Sequence, residues 1–276
     1  MKDNRVLIIN DVTAYGKVSS LAMLPIISAY GHHPYVLPTA LVSNTMDYGS
    51  SVIVNTSQFM KESIAKWKEF GFNFPVIATG LINDETQIDI LVDLIKDQNP
   101  DYVMVDPIMA DDGKLYPGMN PSAVSYYKKL IALSDLAIPN LTEAVLLSGK
   151  FSYKEEFSDE EYAGLVQSLV ELGAKNIVIT GCKDSKSHFN LVYDYSKGSF
   201  DKIYYDIVPV ALIGTGDVFS AAIISNIMNG LDLSTAVDAA GTLVRTIAID
   251  NKDSDDHFDI HIEHALQEAI NEIRQR

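Results

Sequence analysis

A glycine-rich turn that ends in one carboxylate is the part of the chain best suited to chemistry. Residues 214–217 read Gly-Thr-Gly-Asp, and the apolar stretch that follows predicts a helix. Unpaired N–H groups and the positive end of the helix dipole attract an anion at a helix start, and glycine lets that anion approach the backbone. The turn therefore predicts a phosphate site. A purely structural turn is the alternative, because Gly and Asp are ordinary residues at such positions.

Asp217 favours the phosphate site over the structural turn. A carboxylate beside a phosphate repels it unless the charge is used, and its use here is that of a base. Asp217 would take the proton from a hydroxyl while the amides of Gly214, Thr215 and Gly216 stabilise charge on the transferred phosphoryl group. The third glycine of GxGxxG is missing, and GxxxxGK[ST] does not occur in the chain. The turn is neither a Rossmann dinucleotide site nor a P-loop.

A second polar group follows two other apolar runs. Asn140 and Glu143 stand three residues apart at the start of a short predicted helix, Asp106 ends a predicted strand, and Asp111 lies in the next loop. Magnesium takes few carboxylates and keeps water and phosphate oxygens, so these oxygens suit a metal-nucleotide complex. For Asn140 and Glu143 the alternative is a helix N-cap with its capping-box acid.

The elements that must position these residues alternate between short β-rich runs and helical patterns, which indicates an α/β fold with a mostly parallel sheet. The predicted strands are 5–10, 35–41, 75–79, 102–106, 136–139, 176–181, 191–195 and 202–208. The predicted helices are 17–30, 56–70, 84–98, 121–133, 159–172, 217–229, 233–250 and 260–274. Ligands collect beyond the carboxyl ends of parallel strands, where we find Asp11, Asn44, Gly80, Asp106, Asn140 and Gly181.

Composition sets the outer limits of the interpretation. With 276 residues, 47% hydrophobic and 21% charged, the chain fits one domain over 1–276, in which the Asp-, Gly- and Pro-rich loop 110–121 is a candidate lid. A net charge of -16 argues against nucleic acid or an anionic membrane as a partner. The single cysteine, Cys182, and the lack of a long apolar run or signal peptide favour a cytoplasmic protein.

Six segments together resemble the ribokinase superfamily, and within it the pyridoxal, pyridoxine and pyridoxamine (vitamin B6) kinases. The segments are 8–11 (Ile-Ile-Asn-Asp), 40–44, 105–109 (Val-Asp-Pro-Ile-Met) with 113–116, 139–144 (Pro-Asn-Leu-Thr-Glu-Ala), 178–181 and 214–219. The resemblance implies a three-layer α/β/α sandwich with a mostly parallel central sheet. It also implies ATP with Mg²⁺ as phosphate donor, a B6 vitamer as acceptor, and a homodimer. It leaves open a requirement for a monovalent cation.

The resemblance also assigns roles by position. Asp217 would deprotonate the 5'-hydroxymethyl group, with Gly214, Thr215 and Gly216 as the anion hole. The remaining roles would be ATP binding by Asn140, Thr180, Gly181, Thr215, Gly216, Asp111 and Tyr116, metal binding by Glu143, Asp106 and Asp111, and acceptor binding by Asp11, Thr45, Met46 and Asp217.

The acceptor side departs from the family pattern. The family often carries His-Thr-Gly after the second strand, whereas Thr45-Met46-Asp47 follows Asn44 here. This departure keeps a hydroxymethylpyrimidine kinase of thiamine synthesis open as the closest alternative. A sugar or nucleoside kinase and an inactive relative that only binds ligand are weaker alternatives.

Overall fold

The first strand shows why the sheet is buried on both faces. Val6 and Ile8 pack into one apolar core, while Leu7 and Ile9 pack into a second core on the opposite face. All four side chains are fully buried. Successive side chains of a strand point to opposite faces, so a continuous apolar run is what a strand between two helix layers requires.

The computed structural model describes residues 3–45, 48–254 and 259–275, and over these ranges one nine-stranded sheet forms the centre of the fold. The strands are β1 (Arg5–Thr13), β2 (His33–Val42), β3 (Ile53–Asn55), β4 (Val76–Thr79), β5 (Tyr102–Val105), β6 (Ala110–Asp111), β7 (Lys114–Leu115), β8 (Leu136–Ala137), β9 (Asn176–Lys183), β10 (His188–Asp194) and β11 (Ser199–Tyr205). The large sheet has the order β11-β10-β9-β8-β5-β4-β1-β2-β3, and β6 with β7 makes a separate hairpin.

Helices cover both faces of the sheet. They are α1 (Ser19–Ala29), α2 (Ser57–Phe70), α3 (Glu85–Gln98), α4 (Ala123–Ile131), α5 (Leu141–Ser148), α6 (Asp159–Leu172), α7 (Thr215–Met228), α8 (Leu233–Asn251) and α9 (Glu263–Gln275). Helices α1, α7, α8 and α9 supply one core, and α2 to α6 supply the other. The predicted α/β class and three-layer arrangement are confirmed.

The parallel part of the sheet brings the predicted site residues to one edge. Strands β2, β1, β4, β5, β8 and β9 are parallel neighbours, so their carboxyl ends point the same way. An additional bridge between Asn140 and Thr180 extends the pairing of β8 with β9 into the site. Only the outer strands β3, β10 and β11 run antiparallel to their neighbours in this sheet.

Three short strands were not predicted from the sequence. β3 is a three-residue antiparallel edge strand, too short to give a clear alternation. β6 and β7 lie within the candidate lid 110–121 and are joined by Asp112 and Gly113, both at positive φ. The lid segment therefore begins as a tight hairpin, because a left-handed pair of turn residues closes two strands directly. The predicted strand 202–208 is also displaced, since β11 begins at Ser199 and ends at Tyr205.

In the described ranges, no helix combines the length and apolar character that crossing a bilayer demands.

Candidate active site

The start of α7 presents the glycine turn as the sequence predicts. Gly214 is the N-cap at φ 85°, and no side chain caps this helix start. A Cβ on Gly214 would lie 2.7 Å from the carbonyl oxygen of Lys17, so the close approach of the 16–18 loop requires glycine here. A Cβ on Gly216 would instead meet open space. The helix start is therefore closed on the Gly214 side and open at Gly216, where an anion can approach.

Two donors from different elements hold the Asp217 carboxylate. Asn10 Nδ2, within β1, donates to Oδ1 at 3.0 Å, and the backbone N–H of Ser19, at the start of α1, donates to Oδ2 at 2.7 Å. Burial, opposed by the Ser19 hydrogen bond and reinforced by the charge of Asp11, raises the pKa of Asp217 to about 7. A carboxylate that titrates near neutral pH is suited to accept a proton from an alcohol.

Asn10 and Ser19 were missed from the sequence as site residues. Asn10 is fully buried and ends an otherwise apolar run, which was the available signal. Ser19 acts through its backbone amide, and a side-chain pattern gives no sign of that. Asn44, by contrast, turns its side chain to the backbone oxygens of Thr45 and Ser50 and contacts neither Asp217 nor Asp106 through a described hydrogen bond.

Asp106 lies beside this centre at the end of β5. Ser220 Oγ, one helical turn after Asp217, donates to Asp106 Oδ2 at 2.8 Å. Burial and then the charge of Asp217 raise the pKa of Asp106. Ser220 was missed from the sequence, although its i+3 spacing from Asp217 places both on one face of the helix.

Asn140 and Glu143 form the capping box of α5. Asn140 Oδ1 accepts from the Glu143 N–H, and Glu143 Oε2 accepts from the Asn140 N–H, both at 2.9 Å. Glu143 Oε1 also accepts from the N–H groups of Met109 and Ala110, and Asn140 Nδ2 donates to the Ala110 carbonyl. These side chains therefore fasten the strand β6 to α5. The capping-box alternative is confirmed, and it is compatible with a ligand on the remaining lone pairs.

The three predicted metal ligands do not converge on one point. Glu143 is only 2% exposed, whereas Asp111 in β6 is exposed. Burial, followed by the charge of Asp106, raises the pKa of Glu143 well above its usual range. Across residues 3–45, 48–254 and 259–275, no three His, Cys, Asp or Glu side chains are grouped as metal ligands. An incomplete protein cage is what a magnesium ion held largely by phosphate oxygens and water needs.

Four of the predicted ATP-binding residues line one cavity of about 300 Å³. They are Asp111, Asn140, Thr180 and Gly181. Lys183 and His188 line the same cavity and were not predicted. Lys183 is the basic residue there, and its Nζ lies 3.4 Å from Glu156 and 3.8 Å from Glu155. Residues 214–217 are not among the lining residues. The cavity therefore covers only the side of the site where ATP, the phosphate donor, is predicted to bind; we call this the donor side.

Tyr116 follows the hairpin and closes its base, because its N–H donates to the Met109 carbonyl at 2.9 Å. Its side chain is 39% exposed. Desolvation, followed by the charges of Glu143, Asp111, Asp106 and Asp217, raises the pKa of the Tyr116 hydroxyl. The Tyr116 hydroxyl therefore lies within electrostatic reach of these four carboxylates.

Asp11 and Thr45, the described residues predicted to bind the phosphate acceptor, do not line the donor-side cavity. Asp11 is 3% exposed, accepts from Thr13 Oγ at 2.7 Å, and has its pKa raised by burial. Thr45 is buried, and its hydroxyl has no hydrogen-bond partner among the described residues. The rings of Tyr15 and Tyr48 meet edge to face, with their centroids 5.7 Å apart. Met46 lies outside the described residues.

Comparisons with known proteins agree with the fold. The phosphomethylpyrimidine kinase family profile matches residues 22–258. The chain is 24% identical over 241 residues to the hydroxymethylpyrimidine/phosphomethylpyrimidine kinase of Aquifex aeolicus, covering 86% of this chain and 90% of that protein.

Two solved structures are similar over almost the whole chain. A candidate phosphomethylpyrimidine kinase from Bacteroides thetaiotaomicron, in a crystal form with pyridoxal, superposes with a TM-score of 0.92 at 27% identity, covering 98% of this chain and 96% of that chain. The pyridoxal kinase from Lactobacillus plantarum superposes with a TM-score of 0.90 at 25% identity, covering 99% and 98%. The chain therefore belongs to the phosphomethylpyrimidine kinase family, and its resemblance to the vitamin B6 kinases of the ribokinase superfamily is confirmed.

Proposed function

We propose that this protein transfers the γ-phosphoryl group of ATP to the 5'-hydroxymethyl group of a B6 vitamer. The acceptor oxygen forms a bond to the γ-phosphorus, the bond from that phosphorus to the β-γ bridging oxygen breaks, and ADP leaves. Asp217 takes the proton released by the hydroxyl. The observation that carries the proposal is the Asp217 carboxylate, held at the open start of α7 with a pKa of about 7.

The N-terminus of α7 supplies the charge stabilisation for this reaction. The amides of Gly214, Thr215 and Gly216 belong to the uncapped helix start, and Gly216 leaves space for the transferred group. Backbone N–H groups fixed in this way stabilise the charge on a phosphoryl group without reorganising during the reaction. Asp217 follows directly, so the base and the anion site belong to one rigid element.

ATP fits the donor-side cavity. Asn140, Thr180 and Gly181 line it, Lys183 gives it one positive charge, and Tyr116 lies at the hairpin that would close over it. Magnesium, when bound, offsets phosphate charge and polarises the transferred group. Asp106 and Asp111 would hold it through single oxygens or through water, because among the described residues these carboxylates and Glu143 do not form a closed cage. The charge of Asp106 raises the pKa of Glu143, and a bound cation would relieve that repulsion.

The acceptor would lie between Asp217 and the Asp11 side of the site. The unpartnered Thr45 hydroxyl offers a hydrogen bond to a ring substituent, and the Asp11 carboxyl offers one to the polar edge of a pyridine. The pyridoxal in the Bacteroides thetaiotaomicron crystals supports a pyridine acceptor. The match to the Aquifex aeolicus enzyme favours hydroxymethylpyrimidine as the second candidate.

An acceptor panel tests the proposal. The protein is incubated with ATP and Mg²⁺, in K⁺ or Na⁺ buffer, with pyridoxal, pyridoxine, pyridoxamine, hydroxymethylpyrimidine and its phosphate. We expect 5'-phosphates of the B6 vitamers, with a kcat/KM above that of either pyrimidine. A higher kcat/KM for a pyrimidine assigns the second function, and turnover of no compound leaves the ligand-binding relative.

We also propose a homodimer through the β3 edge of the sheet. Leu41, Val52, Ile53 and Val54 are exposed there, and residues 34–60 contain one charged side chain, Asp47. A chain with a net charge of -16 repels its own copies, so a neutral apolar edge is the surface where two copies can meet. Sedimentation of the parent protein should show a dimer.

A further inference from the structure

The side chain of Asn10 has no role in the reaction as described so far, although it contacts the proposed base directly. We propose that Asn10 is a positioning residue, which together with the backbone amide of Ser19 fixes the rotation of the Asp217 carboxylate toward the acceptor hydroxyl. The inference rests on the proposed function of Asp217 as base. It concerns how the chain prepares that base before any substrate binds.

The hydrogen bonds of Asn10 fix which of its atoms faces Asp217. Its Oδ1 accepts from two backbone amides, those of Asp11 at 3.0 Å and Leu81 at 2.8 Å. Its Nδ2 therefore points the other way, to Asp217 Oδ1 at 3.0 Å and Met23 Sδ at 3.7 Å. The reversed amide would set its NH₂ against two N–H donors, so only this orientation satisfies the buried group.

The end of β4 is shaped to admit the Asn10 side chain. A Cβ on Gly80 would lie 2.4 Å from Asn10 Nδ2 and 2.5 Å from Asn10 Cγ. Asn10 is also fully buried, so it has no room to retreat from a larger residue. The glycine after β4 and the asparagine within β1 therefore form one unit that delivers an N–H to Asp217.

Ser19 completes the hold from the other side. It adopts φ 54°, in the left-handed region that non-glycine residues rarely occupy. In this conformation its N–H, the first of helix α1, donates to Asp217 Oδ2 at 2.7 Å. Backbone strain of this kind persists where the surrounding structure enforces it, and it is common at active sites. Each carboxylate oxygen thus receives one donor and keeps lone pairs for a substrate proton.

Both donors favour the ionised carboxylate, and the other groups around it oppose ionisation. Asp11 on β1 raises the pKa of Asp217, while the charge of Asp217 raises the pKa of Asp106 on the β5 side and of Tyr116 after the hairpin. Loss of the Asn10 donor therefore has two consequences. Asp217 is ionised in fewer molecules at neutral pH, and its carboxylate is free to rotate about one remaining hydrogen bond.

Asn10→Asp tests the proposal with almost no change of shape. The new carboxyl keeps an acceptor for the Asp11 and Leu81 amides but sets oxygen against Asp217 Oδ1. Two carboxylates about 3 Å apart do not both ionise at neutral pH. We expect kcat at pH 7 to fall by about tenfold or more, the acid limb of the kcat profile to move up by about one pH unit or more, and both KM values to change less than about threefold.

Asn251→Asp is the matched control. Asn251 is also a buried amide with every polar atom used, since it donates to the Ile247 and His261 carbonyls and accepts from the His261 N–H. It lies at the end of α8, outside the site. This variant should lose stability as Asn10→Asp does, yet keep the acid limb of the parent, because a loss of folded protein scales a pH profile without displacing it.

Asn10→Ser serves if the aspartate variant does not fold. Its hydroxyl is too short to reach Asp217, so the acid limb should again move up. ¹³C NMR titration of the Asp217 carboxyl reports the same change with no substrate present. An unmoved Asp217 titration in the Asn10 variants overturns the positioning role. If the Asn10 variants displace the Asp217 titration but the parent protein phosphorylates no acceptor, the contact between Asn10 and Asp217 is upheld and the proposed function is refuted instead.

Discussion

Replacement of the proposed base by its neutral isostere should stabilise the protein at alkaline pH while it removes activity. The perturbation is Asp217→Asn, which keeps the size of the side chain. Burial raises the pKa of Asp217 from 3.8 to about 7 in the folded protein. The folded state therefore keeps a proton that the unfolded chain releases between about pH 4 and 7. The free energy of unfolding of the parent falls as the pH rises through this window, and it stays lower above pH 7.

The size of the effect follows from the displacement of the pKa. About three pKa units at 1.36 kcal/mol each set an upper limit of about 4 kcal/mol, reached near pH 8. At pH 5 only about one unit separates the pH from the unfolded pKa, so the same contribution is between about 1 and 2 kcal/mol. The amide variant does not titrate, and it avoids this contribution at both pH values.

The lost acceptor acts in the opposite direction. An amide has one oxygen, so either Asn10 Nδ2 or the Ser19 N–H loses its partner at a cost of about 1 to 3 kcal/mol. The net expectation is a gain of about 1 to 3 kcal/mol at pH 8, or roughly 2 to 5 °C in Tm, and no gain at pH 5.

Urea unfolding and thermal unfolding followed by circular dichroism, both at pH 5 and pH 8, measure the difference between parent and variant. A variant that is less stable than the parent at pH 8 refutes the reasoning, because Asp217 would then not be a destabilising buried charge. An equal difference at the two pH values refutes it as well.

Three further outcomes are expected. Because Asp217 must be ionised to accept a proton, kcat/KM of the parent should rise with pH through about 7 in a profile from pH 5 to 9. A kcat/KM that does not change between pH 5 and pH 7 would contradict the assignment. Gly214→Ala should lower Tm by roughly 5 °C or more, because its Cβ meets the Lys17 carbonyl oxygen at 2.7 Å. Gly216→Ala should keep the Tm of the parent and lower kcat by about tenfold or more. Equal losses of Tm in the two variants would argue against the close approach at Gly214. Val54→Lys should give monomers by sedimentation and Tyr195→Lys should not, and a dimer in both variants would place the interface elsewhere.

The layers of the fold were predictable because local patterns agree with the tertiary structure. The apolar run in β1 is buried on both faces, and the Asn140 to Glu143 spacing produces a capping box with both of its hydrogen bonds formed. The sequence could not show how β6 folds back, because the hairpin depends on two left-handed residues and on the Glu143 oxygens that accept its amides.

The candidate site was predictable where side chains carry the proposed roles and unpredictable where the backbone contributes. Residue type and spacing pointed to Asp217 and the glycine turn, whose roles in the reaction stay predictions. Ser19 contributes an N–H made available by an unusual φ, and Asn10 contributes an amide whose orientation depends on Leu81 and on the missing Cβ of Gly80. Such contacts between distant segments leave no periodic pattern in a single sequence.

The most direct test of the central claim is phosphoryl transfer itself, in the parent and in Asp217→Ala. With ATP, Mg²⁺ and each B6 vitamer, mass spectrometry of the products should show a vitamer 5'-phosphate and an equal amount of ADP for the parent. The variant should lose a factor of roughly 10² to 10⁴ in rate and still bind ATP. Equal rates for the two proteins, or ADP without any phosphorylated vitamer, would contradict the account.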